Sequence, residues 1–219
     1  MKCKLYLIKI FIFAMAMIIL KPALLADGQS WLNNSATIRV APRLSLKLTN
    51  ESRFDEVFFS GLFLRNWQAG GAISLPSNFY LAGLYKREGV DKPEFVLYEN
   101  RYTLEAGWGG RLSGIFNLDW RFRTEIRNFA QNLSENHLRL RFRLRIRTRF
   151  RIGKIQFKPF IATEPFADNL QKRIFRNRFY LGTAVVLARN IDLIINYIRQ
   201  DTRNKETIHI LNSGFDIKF

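Results

Sequence analysis

The chain has 219 residues, with 35 Lys and Arg against 18 Asp and Glu, and a single Cys at position 3. That length fits one domain, and 47% apolar content with 20 Phe excludes a disordered chain, because so much apolar surface can be buried. One Cys excludes a disulfide scaffold and any multi-Cys zinc site, while a formal charge of +17 calls for anionic partners unless the basic side chains are turned away from solvent.

The chain opens with Lys2, Lys4 and Lys9, then an unbroken apolar run of 11 residues from Ile10 to Leu20, then Lys21-Pro22 and Ala23-Leu24-Leu25-Ala26 before the first acid, Asp27. Basic region, apolar region and small residue at the cut are the order of a secretory signal. Residues 1–26 are therefore expected to be a signal peptide and 27–219 the mature domain. The apolar run is too short to span a bilayer as a helix, which needs about 20 residues. Cys3 precedes that run and cannot be a lipoprotein acceptor at the cut. Cleavage after Ala26 removes four Lys and no acid, leaving 31 basic residues against all 18 acids. Nothing later has about 18 consecutive apolar residues, so a mature chain that enters a membrane does so with strands.

Period-two alternation, which sends neighbouring side chains to opposite faces of a strand, then recurs along the chain. Residues 36–52 set Ile38, Val40, Leu44, Leu46 and Leu48 against Thr37, Arg39, Arg43, Ser45, Lys47 and Glu51. Tyr98, Tyr102, Leu104 and Trp108 oppose Glu99, Arg101, Thr103 and Glu105. Phe116, Leu118, Trp120, Phe122, Thr124 and Ile126 oppose Asn117, Asp119, Arg121, Arg123, Glu125 and Arg127. The strongest segment runs from His137 to Ile152. Arg139, Arg141, Arg143, Arg145, Arg147, Arg149 and Arg151 take one face, and Leu138, Leu140, Phe142, Leu144, Ile146, Thr148, Phe150 and Ile152 the other. Ile155–Thr163 continues the pattern, whereas strands near 179–187, 191–199 and 207–219 carry apolar residues on both faces. Short turns are expected at Pro76-Ser77-Asn78, Gly109-Gly110-Arg111, Gly153-Lys154 and Arg189-Asn190, alternating with longer polar connections near 88–94, 130–136, 164–177 and 201–205.

Cost decides which face meets which medium. Arg on the lipid face of a barrel costs about 2–4 kcal/mol at the midplane. Seven on one strand would exceed a domain's stability of about 5–15 kcal/mol. The guanidinium face must line an enclosed polar interior, and the apolar face must meet hydrocarbon. Hydrocarbon also requires that the sheet have no open edge. The fold expected is an all-β, closed antiparallel transmembrane barrel. A two-residue hairpin at Gly153-Lys154 sets Ile152 opposite Ile155 and Arg143 opposite Glu164. A three-residue turn at 109–111 would set Arg101 opposite Asp119 and Glu99 opposite Arg121, with apolar pairs on the other face. The interior arginines outnumber the available carboxylates Glu51, Glu99, Glu105, Asp119, Glu125 and Glu164, so some must be hydrated or hold an anion.

Counting strands back from Phe219 gives ten if 36–52 is one strand. If Pro42 lies in a hairpin at Ala41–Arg43 the count becomes eleven, and an even rule with both ends in the periplasm then asks for twelve.

The chain ends Asn212, Ser213, Gly214, Phe215, Asp216, Ile217, Lys218, Phe219. With polar Asn212, Gly214, apolar Ile217 and terminal aromatic Phe219, it resembles the C-terminal signal of bacterial outer-membrane barrels. The resemblance implies recognition by the barrel-assembly machinery through strand addition. The mature region also resembles the DUF2490 family of bacterial outer-membrane barrels. The carrying residues are Trp31, Glu51-Ser52-Arg53, Leu84-Tyr85-Lys86-Arg87 (Leu84 departs from the family's Gly), the Arg-x-Arg strands, Lys158-Pro159-Phe160 with Glu164-Pro165-Phe166, and Arg178-Phe179-Tyr180-x-Gly182. This implies architecture and a place in the bacterial outer membrane rather than a chemistry.

No Gly-rich phosphate loop and no metal-spaced His or Cys set is present, so no cofactor and no metal is expected. His137, near Ser134, is the sole candidate catalytic base, for hydrolysis of lipid; a structural place in a polar loop is the alternative. Trp31, Tyr98, Tyr102, Trp108, Trp120 and Tyr197 include candidate interfacial anchors. The expected partners are outer-membrane lipids, the assembly machinery and small anions. A monomer is expected and nucleic acid is not. The function read from the sequence is a structural or narrow anion-preferring barrel; a lipid-modifying enzyme and a soluble nucleic-acid-binding strand protein are the alternatives.

Overall fold

A computed structural model describes residues 28–56, 59–130 and 136–219; the expected signal at 1–26 lies outside the described residues. The segments that alternate form strands: β1 (Gly28–Arg39), β2 (Leu44–Phe54), β3 (Leu62–Ser74), β4 (Phe79–Asp91), β5 (Val96–Ser113), β6 (Phe116–Phe129), β7 (His137–Arg147), β8 (Phe150–Ile152), β9 (Ile155–Asp168), β10 (Arg173–Ala188), β11 (Ile191–Thr202) and β12 (Ile208–Lys218). Each pairs with its sequence neighbour except at one place, where β9 rather than β8 meets β7, and the ring closes where β1 meets β12. The result is the expected all-β closed barrel, built of eleven strands, with β8 attached outside the ring to β9 alone.

The interruption before β8 has a local cause. Thr148 donates its N–H to the carbonyl of Pro159 at 3.0 Å, but Pro159 has no N–H to return. Beyond the gap the register resumes unchanged, with Ile152 opposite Ile155 and Arg151 opposite Gln156. The hairpin expected at Gly153-Lys154 is therefore present, with Gly153 at φ +58°.

Three sequence expectations are corrected. The first is the strand count and closure. Pro42 does lie in a hairpin, tied by Val40 N–H to Leu44 O at 3.1 Å and Leu44 N–H to Ala41 O at 3.2 Å. Among the described residues no twelfth ring strand compensates. An odd ring of antiparallel neighbours must contain one parallel pair, and here it is β1 with β12, from Gly28 opposite His209 to Thr37 opposite Lys218. Gly28 thus lies at the end of the longer connections, not at the Phe219 end. The second is the turn after β5. The strand runs through Gly109 and Gly110 and turns at Gly114, φ +48°. Trp108 then faces Trp120, Arg101 faces Arg127 rather than Asp119, and Glu99 faces Phe129 rather than Arg121. Within that strand, the Trp108 ring fills the space a Cβ at position 110 would take, so glycine fits there. The third is loop length: β4 extends to Asp91 and β9 to Asp168, because these charged strand ends still alternate and still pair.

At the parallel seam, Ser35 Oγ donates to Asp216 Oδ1 at 2.6 Å, and Phe219 N–H to Thr37 O at 2.9 Å. Gly214 is forced by this approach: a Cβ there would stand 1.9 Å from the carbonyl oxygen of Asn33.

The outer wall is apolar. Leu46, Leu48, Leu104, Tyr102, Phe122 and Ile161 are exposed on it. From Leu138 to Ile152 the outward run is ~46 Å along the strand, or ~35 Å in height at a ~40° tilt. Among the described strand residues, outward charge appears only towards the longer connections, at Arg65, Arg87, Asp91, Arg199 and Asp201.

Candidate functional site

The alternating partners of those apolar residues converge on a cavity of about 640 Å³ inside the barrel. Arg139, Arg141, Arg143, Arg145 and Arg147 all line it, as do Arg101, Arg121, Arg123 and Arg127. Arg149 falls in the gap after β7, and Arg151 is exposed at the short-turn end; neither lines the cavity. Among the described residues, sixteen Lys and Arg line the cavity against six Asp and Glu. Adding Glu99, Glu105 and Asp119, which pair with lining arginines, brings the acids to nine.

The wall from β2 to β7 is polar and linked. Near the longer connections, Arg53 Nε donates to Glu51 at 2.6 Å, and Asn66 bridges Glu51 and Glu88 at 3.3 and 3.4 Å. Lys86 and Arg101 meet Glu88, and Arg101 reaches Glu99 at 2.8 Å. Arg127 closes this chain on Glu99. Midway, Glu125 accepts from Arg141 at 2.7 Å. Glu164 accepts from Arg121 at 2.8 Å, Arg141 at 3.0 Å and the Tyr180 hydroxyl at 2.6 Å. Towards the short turns, Glu105 takes Arg123 and Tyr80, and Asp119 takes Arg145 at 2.9 Å and Arg147 at 3.4 Å. Glu164 and Glu125 are each only 1% exposed. Charges so enclosed survive only when paired and hydrogen-bonded.

The wall from β9 to β12 and β1 is different. It presents Phe160, Phe166, Tyr180, Ile194 and Ile198, with Trp31 from β1. Trp31, Ile198 and Ile210 form a buried cluster against which Tyr180 packs. The candidate anchor Trp31 is thereby corrected: it points inward, because β1 turns its odd residues to the cavity. Arginines without a carboxylate lean on these rings. Arg178 lies 4.8 Å over Trp31 and 4.9 Å over Phe166, Arg139 lies 5.5 Å over Phe175, and Arg176 lies 5.3 Å over Phe175. Guanidinium over an aromatic face gains about 0.5–2 kcal/mol.

From the sequence, Glu88, Asp192 and Arg176 receive no lumen role, and Lys86, Arg178 and the inner aromatics Phe160, Phe166 and Tyr180 stand out only as carriers of the family resemblance. For Arg176, Arg178 and Asp192, on β10 and β11, the signal is the mixed faces of those strands, since an inner wall that is half apolar erases alternation. His137 stands apart from the cavity lining. Its Nε2 lies 3.0 Å from Arg127 Nη1, its ring stacks on Phe129, and Ser134 lies outside the described residues. A guanidinium can only donate, so that nitrogen acts as acceptor there, an arrangement that fits the structural alternative. No group of His, Cys, Asp and Glu suited to a metal occurs among the described residues.

Of the residues of the expected assembly signal, Gly214 lies at the seam, Asn212 lines the cavity, Ile217 pairs with Ile191 of β11, and Phe219 is exposed at the rim.

No curated protein matches the chain. A solved structure described as the beta domain of the Bordetella autotransporter BrkA is similar, with 12% identity and a TM-score of 0.47, covering 84% of this chain and 85% of that one. The family described as "Protein of unknown function (DUF2490)" matches residues 28–209. The chain therefore belongs to the DUF2490 family, as the motifs from Trp31 to Gly182 had indicated.

Proposed function

We propose that this protein is an integral barrel of the bacterial outer membrane whose lumen is a narrow conduit favouring anions. The observation that carries the reading is the segregation of charge: an outer wall whose charges sit only towards the longer connections, leaving enough apolar height for a ~25 Å band, around a cavity with nearly twice as many cations as acids. The N-terminal signal and the terminal Phe219 pattern support the location. The low-dielectric wall focuses the field of the surplus arginines on the cavity, which raises local anion concentration.

Cell fractionation should recover the protein in the outer membrane as a heat-modifiable band. In planar bilayers under a potassium chloride gradient, the reversal potential should report chloride preference. Cation preference, or a membrane-inserted barrel without conductance, would overturn the conduit reading.

A further inference from the structure

We infer that Arg143 is the centre of a binding site for a tetrahedral oxyanion, a phosphate or a phosphoryl group, on the β6–β7 wall of the lumen. The inference shares with the conduit reading only the premise that anions reach the cavity.

The register creates the need. Arg121 lies directly opposite Arg143, and Arg123 directly opposite Arg141. Arg141 and Arg145 flank Arg143 on the same face of β7. Like charges paired across strands are destabilising, so this square of four guanidinium groups needs negative charge within it. The carboxylates nearby serve the other three members of the square, Arg121, Arg123 and Arg141, or the flanking Arg145 and Arg147. Glu164, which the β7–β9 register brings across from Arg143, holds Arg121, Arg141 and Tyr180 instead. Asp119 holds Arg145 and Arg147, and Glu105 holds Arg123 and Tyr80. Arg139, Arg176 and Arg178 rest on aromatic faces.

Arg143 has neither solution. Its Nε is buried without a hydrogen-bond partner, and no carboxylate lies within ion-pair reach among the described residues. It nevertheless lines the cavity. Lys47, from the opposite wall, also lines it and has no ion pair among the described residues; its electrostatic neighbours are Asp216 first, then Arg123 and Arg121. A planar fork of N–H donors matches a phosphate edge in bidentate fashion. Lys47 can add a point charge from the far side. A cavity of about 640 Å³ admits a small phosphorylated molecule as well as the free ion.

The test uses the full mature chain refolded in micelles of a phosphate-free zwitterionic detergent, with chloride held constant. Inorganic phosphate and glycerol 3-phosphate are titrated calorimetrically, and urea midpoints are read with and without each. At least one probe should bind saturably at one per chain and raise the midpoint, since a ligand held only by the folded state stabilises it. Arg143→Gln should weaken binding tenfold or more. Without ligand it should fold as well as the parent or better, because it relieves the square of like charges. Arg143→Lys should keep part of the affinity, and Arg151→Gln all of it. Binding of phosphate alone assigns the free ion, and preference for the ester assigns a phosphoryl ligand. Absence of saturable binding by both probes, or full affinity in Arg143→Gln, would overturn the site. Because micelles need no conductance, this outcome is independent of ion selectivity in bilayers.

Discussion

Glu164→Gln should lower the unfolding free energy of the refolded barrel by ~3–5 kcal/mol, the usual cost of removing one partner from a buried charge pair. The carboxylate is almost wholly enclosed and accepts from three donors on three strands: Arg121 on β6, Arg141 on β7 and Tyr180 on β10. Glutamine preserves size but removes the charge, leaving Arg121, Arg141 and Arg143 facing one another. The loss is large against a total of about 5–15 kcal/mol. Urea titration followed by tryptophan fluorescence and by the heat-modifiable band would measure it. Glu56→Gln, an exposed acid beyond β2, should leave the midpoint in place. A parent-like midpoint for Glu164→Gln would mean that the inner network contributes little. The sign is opposite to that expected for Arg143→Gln, so the pair of variants separates a carboxylate that holds the wall together from a guanidinium that strains it.

Gly214→Ala should abolish most of the folded, heat-modifiable species. The methyl group would have to occupy space 1.9 Å from Asn33 O and 2.5 Å from Asn33 C. These are main-chain atoms of β1, and no rotamer change moves them aside. Either β1 detaches from β12, which opens an edge that hydrocarbon does not tolerate, or the register slips, which by one residue turns a strand's inner side chains outward. Refolding into micelles without assembly machinery isolates this steric effect from recognition of the terminal signal. Ser213→Ala, the neighbouring change opposite Leu32, should refold normally. Normal refolding of Gly214→Ala would remove the parallel seam.

Much of this architecture was readable because period two is robust. The turn after β5 was placed several residues early, yet every inner residue stayed inner, because an even displacement keeps the two faces apart. The hairpin at Gly153-Lys154 was read correctly because a glycine beside a polar residue interrupts two strong alternating runs. Other features had no local signal. Residues 36–52 keep one phase through Pro42, so a bent strand and a hairpin look alike. The closing contact joins residues about 180 positions apart, and no turn marks it. The pairing of individual arginines was also hidden. The β7–β9 register set Arg143 across from Glu164, but two neighbouring arginines and a tyrosine hold that carboxylate. The aromatic half of the lumen was written in the later strands as apolar residues on both faces, a pattern that also fits a simply buried sheet.

An odd number of crossings has a topological corollary for anything attached to the molecule. On the membrane reading proposed above, a sealed wall with eleven passes makes the residue that begins the first pass and the residue that ends the last emerge on opposite sides of the bilayer. A peptide tag spliced ahead of Gly28 and one spliced after Phe219 would then be displayed to different compartments, whereas an even-numbered cylinder would present both to the same one.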